Sequence, residues 1–249
     1  MPSKFDIFPD HRYISVTQAE LACRCMFAWK CRYEDKVKVE PSRAMLMGRA
    51  FDAHCEGVPM PKESYMGLTG EDYDIIEQRY TEYKPHLPQG TAQWPFWFPL
   101  NGTEWWVRGF IDLLPDDPKE PFREIKLAQG RWKLKKVSYN RPQIITYERA
   151  LEFKRPGQFD VSNVAVAGLQ IFRREDYLKK GQSLEDAWKV QERAFKKAVR
   201  LIDGSDRTHR LNVLCKGQNE NGSWECDYYD LCPERAKERE LKEIANEYF

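Results

Sequence analysis

Two short stretches of the chain carry residue types that can do hydrolytic chemistry together: Gly109-Phe110-Ile111-Asp112 and Arg123-Glu124-Ile125-Lys126. Side chains alternate along a strand, so Glu124 and Lys126 point to one face. If the two segments pair antiparallel, Asp112 lies beside Glu124. Two carboxylates with water make a hard oxygen site for Mg²⁺ or Mn²⁺. Such an ion lowers the pKa of a bound water and polarises a phosphoryl oxygen, while a lysine positions the nucleophile or balances the charge that builds on phosphorus. An E-x-K is by itself also an ordinary cross-strand ion pair. Chemistry is favoured here because Asp112 is embedded in an apolar strand, where an unpaired charge is costly. Further along, Gln143 and Tyr147 stand at i and i+4 and share a helix face.

The elements that must position these residues follow from pattern. Helices are expected over 15–33, where Ser/Thr precede the helical run, over 43–56, ended by Pro59 and Pro61, and over 71–83. Aromatic and β-branched residues over 94–100 and 104–113 flank Asn101-Gly102, a strong hairpin signal, and a third strand over 122–127 carries Glu124 and Lys126. A helix over 141–153, with Pro142 in its first turn, carries Gln143 and Tyr147. The apolar run over 161–172 predicts a strand buried on both faces, and 184–202 an amphipathic helix stopped by Gly204. Residues 233–249, mostly Lys, Glu and Arg, predict a solvated helix. The order predicts an α/β (α+β) chain, a mixed sheet flanked by helices. It is expected to be one domain over 1–249: an N-terminal helical part (15–90), a catalytic core (91–175) and C-terminal helices with a cysteine segment (176–249).

The formal net charge of +1 excludes a global basic field, so any polyanion site must be local. One local candidate is Arg131-Trp132-Lys133-Leu134-Lys135-Lys136, between Lys126 and Gln143. Its cations Arg131, Lys133, Lys135 and Lys136 can neutralise phosphates while Trp132 stacks on an unpaired base; the bland reading is a solvated basic loop. No apolar run approaches the roughly 18 residues that cross a bilayer, and residues 1–13 lack the basic start and apolar core of a signal peptide. A soluble, cytoplasmic protein with no membrane partner is expected. The seven cysteines are odd in number and bipolar in layout: Cys23, Cys25, Cys31 and Cys55 near the start, Cys215, Cys226 and Cys232 near the end. That suggests a metal or cluster joining the two ends rather than a disulfide framework. Cys31 and Cys55 also read as small buried hydrophobes.

Taken together, the G-x-x-D strand, the E-x-K strand and the Q-x-x-x-Y helix occur in the order and at the spacings of the RecB/AddB/Cas4-like nucleases of the PD-(D/E)XK superfamily, which the sequence resembles over about residues 15 to 235. Upstream, Ser15-Val16-Thr17 and Cys25-Met26-Phe27-Ala28-Trp29 look like the family's S-x-S helix and Cys-Pro-aromatic motif, with Met26 where proline is usual. The resemblance implies a restriction-endonuclease-like fold and a Mg²⁺- or Mn²⁺-dependent exonuclease. Its centre would hold Asp112, Glu124, Lys126, Gln143 and Tyr147. Its substrate would be DNA, single-stranded or with free ends, in recombination, repair, phage replication or CRISPR adaptation, with the proteins of those processes as partners, in a prokaryotic or phage-infected cell. A catalytically spent iron-sulfur adaptor is the alternative, and the intact residue set argues against it.

The family also has a helical G-x-x-x-H whose histidine binds metal, and this chain departs from it. Counting from Gly48, the matching position is Asp52; the matching residue type is His54. The two are about 200° apart on a helix and do not both face one metal. The resemblance further implies a [4Fe-4S] cluster on Cys25, Cys215, Cys226 and Cys232, joining the N- and C-terminal helical segments at a four-Cys site. Structural Zn²⁺ is the competing metal and Cys23 an alternative to Cys25. The departure is the ten-residue stretch between Cys215 and Cys226, where the family usually has two; its Asn, Gly and Glu content suits a loop that bulges out.

Overall fold

The structure, a computed structural model, describes residues 7–58, 65–204, 216–219, 222–225, 228, 231 and 232. A short strand, β1 (Arg12–Ile14), leads into two helices, α1 (Val16–Arg24) and α2 (Met26–Tyr33), where one helix over 15–33 is expected. The break falls at Cys25. Its backbone is extended and its sulfur accepts the Ala28 N–H at 3.4 Å, so a thiol caps the second helix. Next come α3 (Arg43–Cys55), capped by Ser42, and α4 (Gly70–Tyr83), opened by a reciprocal Thr69–Asp72 capping box. Arg43 ties the two starts together through a bidentate contact with the buried Asp72.

The hairpin forms as expected from β2 (Gly90–Pro99) and β3 (Trp105–Pro115), followed by β4 (Phe122–Ala128). The next helix, α5 (Leu134–Ala150), starts well before residue 141 because Val137 is fully buried and anchors the earlier turns. Pro142 therefore sits inside the helix, where it removes one backbone donor, and the Thr146 hydroxyl donates to its carbonyl at 2.7 Å. The apolar run over 161–172 is not one strand but two: β5 (Gly157–Asn163), buried throughout, and antiparallel β6 (Leu169–Phe172). The reversal uses Gly168 at φ 123, a backbone shape that side chains disfavour. A four-residue helix, α6 (Arg174–Tyr177), precedes α7 (Leu184–Asp203). The stretch between Cys215 and Cys226 is a hairpin, β7 (Lys216–Asn219) against β8 (Gly222–Glu225), with Lys216 paired to Glu225. Ten residues of sequence thus add little distance between their ends. The helix expected over 233–249 lies outside the described residues.

The main sheet is mixed, as expected, with order β1-β3-β4-β5-β6 and β2 on the other edge of β3. Because β4 and β5 run parallel, their connection must cross over, and α5 makes it. Contacts divide the chain into two compact units, Met1–Val16 with Pro41–Arg193, and Thr17–Glu40 with Ala194–Phe249. Among the described residues no helix is long and apolar enough to cross a membrane.

Helices cover both faces of β4. On one, Met47, Ala50 and Phe51 of α3 and Ile76 and Tyr83 of α4 form a core with Leu113 and Ile125. On the other, Gly157 lets α5 approach: a side-chain carbon there would overlap Ile144 and Phe122. The helix is held by a buried carboxylate, Glu148, which accepts the Gly157 N–H at 2.9 Å, two N–H groups of Arg174 at 3.1 and 3.2 Å, and the Tyr177 hydroxyl. Glu148→Ala would leave a guanidinium, a hydroxyl and a backbone N–H without this acceptor, which typically costs about 3–5 kcal/mol when a buried pair is broken. The expected outcome is a fall of roughly 6 °C or more in melting temperature. A change of a degree or less would mean that α5 does not depend on Glu148.

Candidate active site

The sheet is pried open where the catalytic candidates lie. β3 and β4 are antiparallel but bridge at one pair, Leu113 with Arg123, a register that sets Asp112 opposite Glu124 as the sequence suggests. The Asp112 carboxylate then accepts the Ile125 N–H at 2.9 Å, in place of the strand carbonyl that a continued ladder would offer. Their chain neighbours Leu113 and Ile125 belong to the α3–α4 core. Lys126 meets both: its Nζ contacts Glu124 Oε1 and stands 3.8 Å from Asp112 Oδ2.

Glu124 is fully buried; its Oε1 meets the Lys126 ammonium, and its Oε2 has no hydrogen-bond partner among the described residues. Burial raises its pKa, and the negative charges of Asp112 and Asp52 add to the effect. Lys126 opposes them, and the result is about 8. Burial alone would lower the Lys126 ammonium, but Glu124, Asp112 and Asp52 outweigh it and hold the group protonated. From α5, Gln143 Nε2 donates to Tyr147 Oη at 2.8 Å, and the tyrosine ring packs on Phe96 and Phe122. Burial, then Glu124 and Asp112, push the Tyr147 hydroxyl far above its ordinary range. Tyr147 therefore remains a neutral hydroxyl beside the carboxylates.

The two candidates on α3 part company. The charge of Asp52 acts on both Glu124 and Lys126. His54 instead stacks on Tyr80 at 5.2 Å, with Nε2 3.6 Å from Glu77 Oε2, and so faces α4. Among the described residues no three His, Cys, Asp or Glu side chains stand close enough to form a ready metal cage. Lys126 occupies the space between Asp112 and Glu124. The donor chemistry nonetheless fits a hard divalent cation: carboxylate oxygens, of which Glu124 Oε2 is buried without a hydrogen-bond partner among the described residues.

Of the basic segment, Arg131, Lys133, Lys135 and Lys136 are exposed. Trp132 is not presented to solvent in the way the sequence suggests. It is half-buried, with its ring 5.7 Å from Phe159 and 6.4 Å from Phe172, and its backbone is bonded in both directions to the Gln170 amide. Pattern reading also missed a buried polar group on β5, paired with Ile125: Asp160 accepts from Tyr83 at 2.7 Å and from Gln158 at 2.5 Å, with Arg123 Nε 3.6 Å away. The only signal was a lone Asp ahead of an apolar run.

The described cysteines fall into two environments. Cys55 lies against the α3–α4 core, and burial, then Asp52 and Asp112, raise its thiol well above the ordinary range. In the second unit, Ala28, Cys31 and Tyr228 form a buried cluster against which Cys25 packs, and Cys232 is buried. Cys23 donates to the Ala194 carbonyl at 3.6 Å, and burial raises its pKa. Cys215 and Cys226 lie outside the described residues, so the four-Cys site is not shown.

No family model and no curated protein matches the chain. Solved structures do. A protein of Eubacterium rectale named "putative exonuclease" superposes with a TM-score of 0.64 at 14% identity, over 86% of this chain and 91% of that one. A second, the protein SSO0001, gives a TM-score of 0.49 at 13% identity over 92% and 90% of the two chains. The likeness to the Eubacterium rectale protein establishes a common fold.

The raised pKa of Glu124 has a thermodynamic signature. Between the carboxylate's unfolded value of about 4.3 and its folded value of about 8, the folded chain keeps a proton that the unfolded chain has lost. Stability must then fall as pH rises through that window. Without added metal, the melting temperature of the wild type should drop between pH 5 and pH 8 by a few degrees more than that of Glu124→Gln, which has no such proton. Parallel curves would show that Glu124 is ionised throughout.

Proposed function

We propose that this chain is a divalent-metal-dependent deoxyribonuclease, an exonuclease of the RecB/AddB/Cas4-like kind acting on single-stranded DNA or DNA ends. The observation that carries the reading is the convergence of Asp112 and Glu124 on Lys126 at an opened strand pair, with Glu124 buried and Lys126 at one of its two oxygens. Burying a carboxylate is costly, and a metal cation beside Lys126 would offset that cost. The fold shared with the Eubacterium rectale protein supports the same direction.

Asp112, Glu124 and Asp52 would hold Mg²⁺ or Mn²⁺, and His54 is the weaker candidate because it faces Glu77 and Tyr80. A cation held there supplies Lewis-acid and water-activating chemistry toward a phosphodiester. The chain's own residues do the rest. Lys126, kept charged beside Glu124, Asp112 and Asp52, balances the negative charge that develops on phosphorus. Tyr147, kept neutral and oriented by Gln143, offers a hydroxyl that can donate to a phosphate oxygen. Arg131, Lys133, Lys135 and Lys136 neutralise the strand's phosphates. DNA is the partner in this reading, in recombination, repair, phage replication or CRISPR adaptation.

In the second unit we read Cys25, Cys215, Cys226 and Cys232 as the ligands of a [4Fe-4S] cluster, with structural Zn²⁺ as the competing occupant. Two observations support it. Tyr228, between two of these cysteines in sequence, packs in the cluster that Cys25 touches. The hairpin of β7 and β8 folds the stretch between Cys215 and Cys226 back on itself. The hydrogen-bonded thiol of Cys23 makes it the poorer ligand.

Two measurements test these readings. With Mn²⁺ and end-labelled single-stranded DNA, Asp112→Asn, Glu124→Gln and Lys126→Met should each lose at least about a hundredfold in cleavage while still folding. Asp52→Asn should weaken metal dependence far more than His54→Ala. Activity near wild type in any of the first three removes that residue from the centre. For the cysteines, protein purified without oxygen should contain iron, and Cys226→Ser and Cys232→Ser should lose both the iron and several degrees of melting temperature, whereas Cys55→Ser should keep the iron. Zinc in its place would select the alternative, and neither metal would end the cluster reading without touching the nuclease one.

A further inference from the structure

The packing of Trp132 leaves the basic segment without the stacking ring that the sequence offers, and the structure supplies another. Tyr139, in the second turn of α5, is 61% exposed. One exposed ring on a surface needs no explanation; the position of this one does. Residues four apart on a helix stack on one face, so Tyr139, Gln143 and Tyr147 form a single row. The inner end of that row is at the catalytic candidates, since Gln143 donates to Tyr147 and Tyr147 feels the charges of Glu124 and Asp112. The outer end is in solvent. Eight residues of helix separate the two ends by about 12 Å, a span of a few nucleotides at roughly 3.4 Å or more each.

Charge points the same way. Residues 129–147 contain five cations, Arg131, Lys133, Lys135, Lys136 and Arg141, and no Asp or Glu, in a chain whose net charge is only +1. Lys136 Nζ lies 5.5 Å from the centroid of the Tyr139 ring, so an ammonium and an aromatic face are presented together. That pairing matches the two parts of a nucleotide, a phosphate for the cation and a base for the ring.

We infer that Tyr139 is a stacking post for an unpaired nucleobase, holding a single strand of DNA along α5 so that its backbone reaches Asp112 and Glu124, with Lys135 and Lys136 on the flanking phosphates. The inference rests on the nuclease reading for its substrate class and adds a specificity determinant to it. Bases inside a duplex are already stacked on their neighbours and do not offer a face to the ring, so Tyr139 discriminates in favour of single strands.

The test is the affinity of a fluorescent 15-nucleotide single strand, by anisotropy in EDTA so that nothing is cut, beside a blunt duplex of the same length. Tyr139→Ala should weaken single-strand binding roughly tenfold and leave duplex binding within about twofold. Tyr139→Trp and Tyr139→Phe should hold it, because both keep a ring. In Mn²⁺, KM for the single strand should rise in Tyr139→Ala by more than kcat falls, at an unchanged melting temperature. Equal single-strand affinity in wild type and Tyr139→Ala overturns the inference, as does an equal loss on the duplex, a loss as large in Tyr139→Phe, or a wild type that does not bind the single strand. The two readings fail separately. Wild-type cleavage with no effect of Tyr139→Ala on affinity or KM removes the stacking post alone. Binding through Tyr139 without cleavage in any divalent metal removes the nuclease and leaves the post.

Discussion

A carboxylate buried in the middle of a sheet, met by a single ammonium at one oxygen, is the constraint around which this protein is organised. Glu124 is in that position, and desolvation together with Asp112 and Asp52 drives its proton affinity up. Removing a carboxylate from water costs several kcal/mol, so the surroundings must hold it there against that penalty. They do so from both sides of β4. The α3–α4 core grips Leu113 and Ile125, the chain neighbours of the two acids, and the Ile125 N–H fastens Asp112 across the gap between the strands. A local instability maintained by a rigid scaffold is the usual condition of a catalytic centre.

The opposite face is equally committed. α5 reaches the sheet because Gly157 has no side chain, and Glu148 clamps the helix through three different partners. That clamp lies one residue beyond Tyr147. Close packing between α5 and β5 therefore sets where Gln143 and Tyr147 meet the carboxylates, and the same helix, continued outward past Pro142, carries Tyr139 and the lysines into solvent. One rod links a buried chemical centre to an exposed cationic surface, and its rigidity makes the spacing between them a fixed property of the chain.

How much of this was legible in the sequence differs from element to element. The hairpin around Asn101-Gly102, the strand carrying Glu124 and Lys126, and helices α3, α4 and α7 follow from local signals, and the structure has them. The failures have local causes too. Cys25 breaks the first helix because a thiol can cap, which no propensity scale records. The run over 161–172 reads as one strand because a strand buried on both faces loses its alternation, and with it the sign of where it turns. Pro142 suggested a helix start, but the burial of Val137 carries the helix further back.

By itself the sequence determined the residue types of the candidate site and their order; it set Asp112 beside Glu124 only on the condition that the two strands pair antiparallel, and the structure supplies that pairing. It also narrowed α3 to Asp52 or His54, since helical geometry forbids both. Only the tertiary structure decided between the directions those two face, because the answer depends on where α4 packs. The same holds for the rings: Trp132 and Tyr139 are equivalent as letters, and only the approach of Phe159 and Phe172 buries one and leaves the other in water. Burial is a sum over residues distant in sequence, so Glu124 acquires its raised pKa chiefly from surroundings that no local pattern contains, whereas Lys126 is held charged first by Glu124, two residues away.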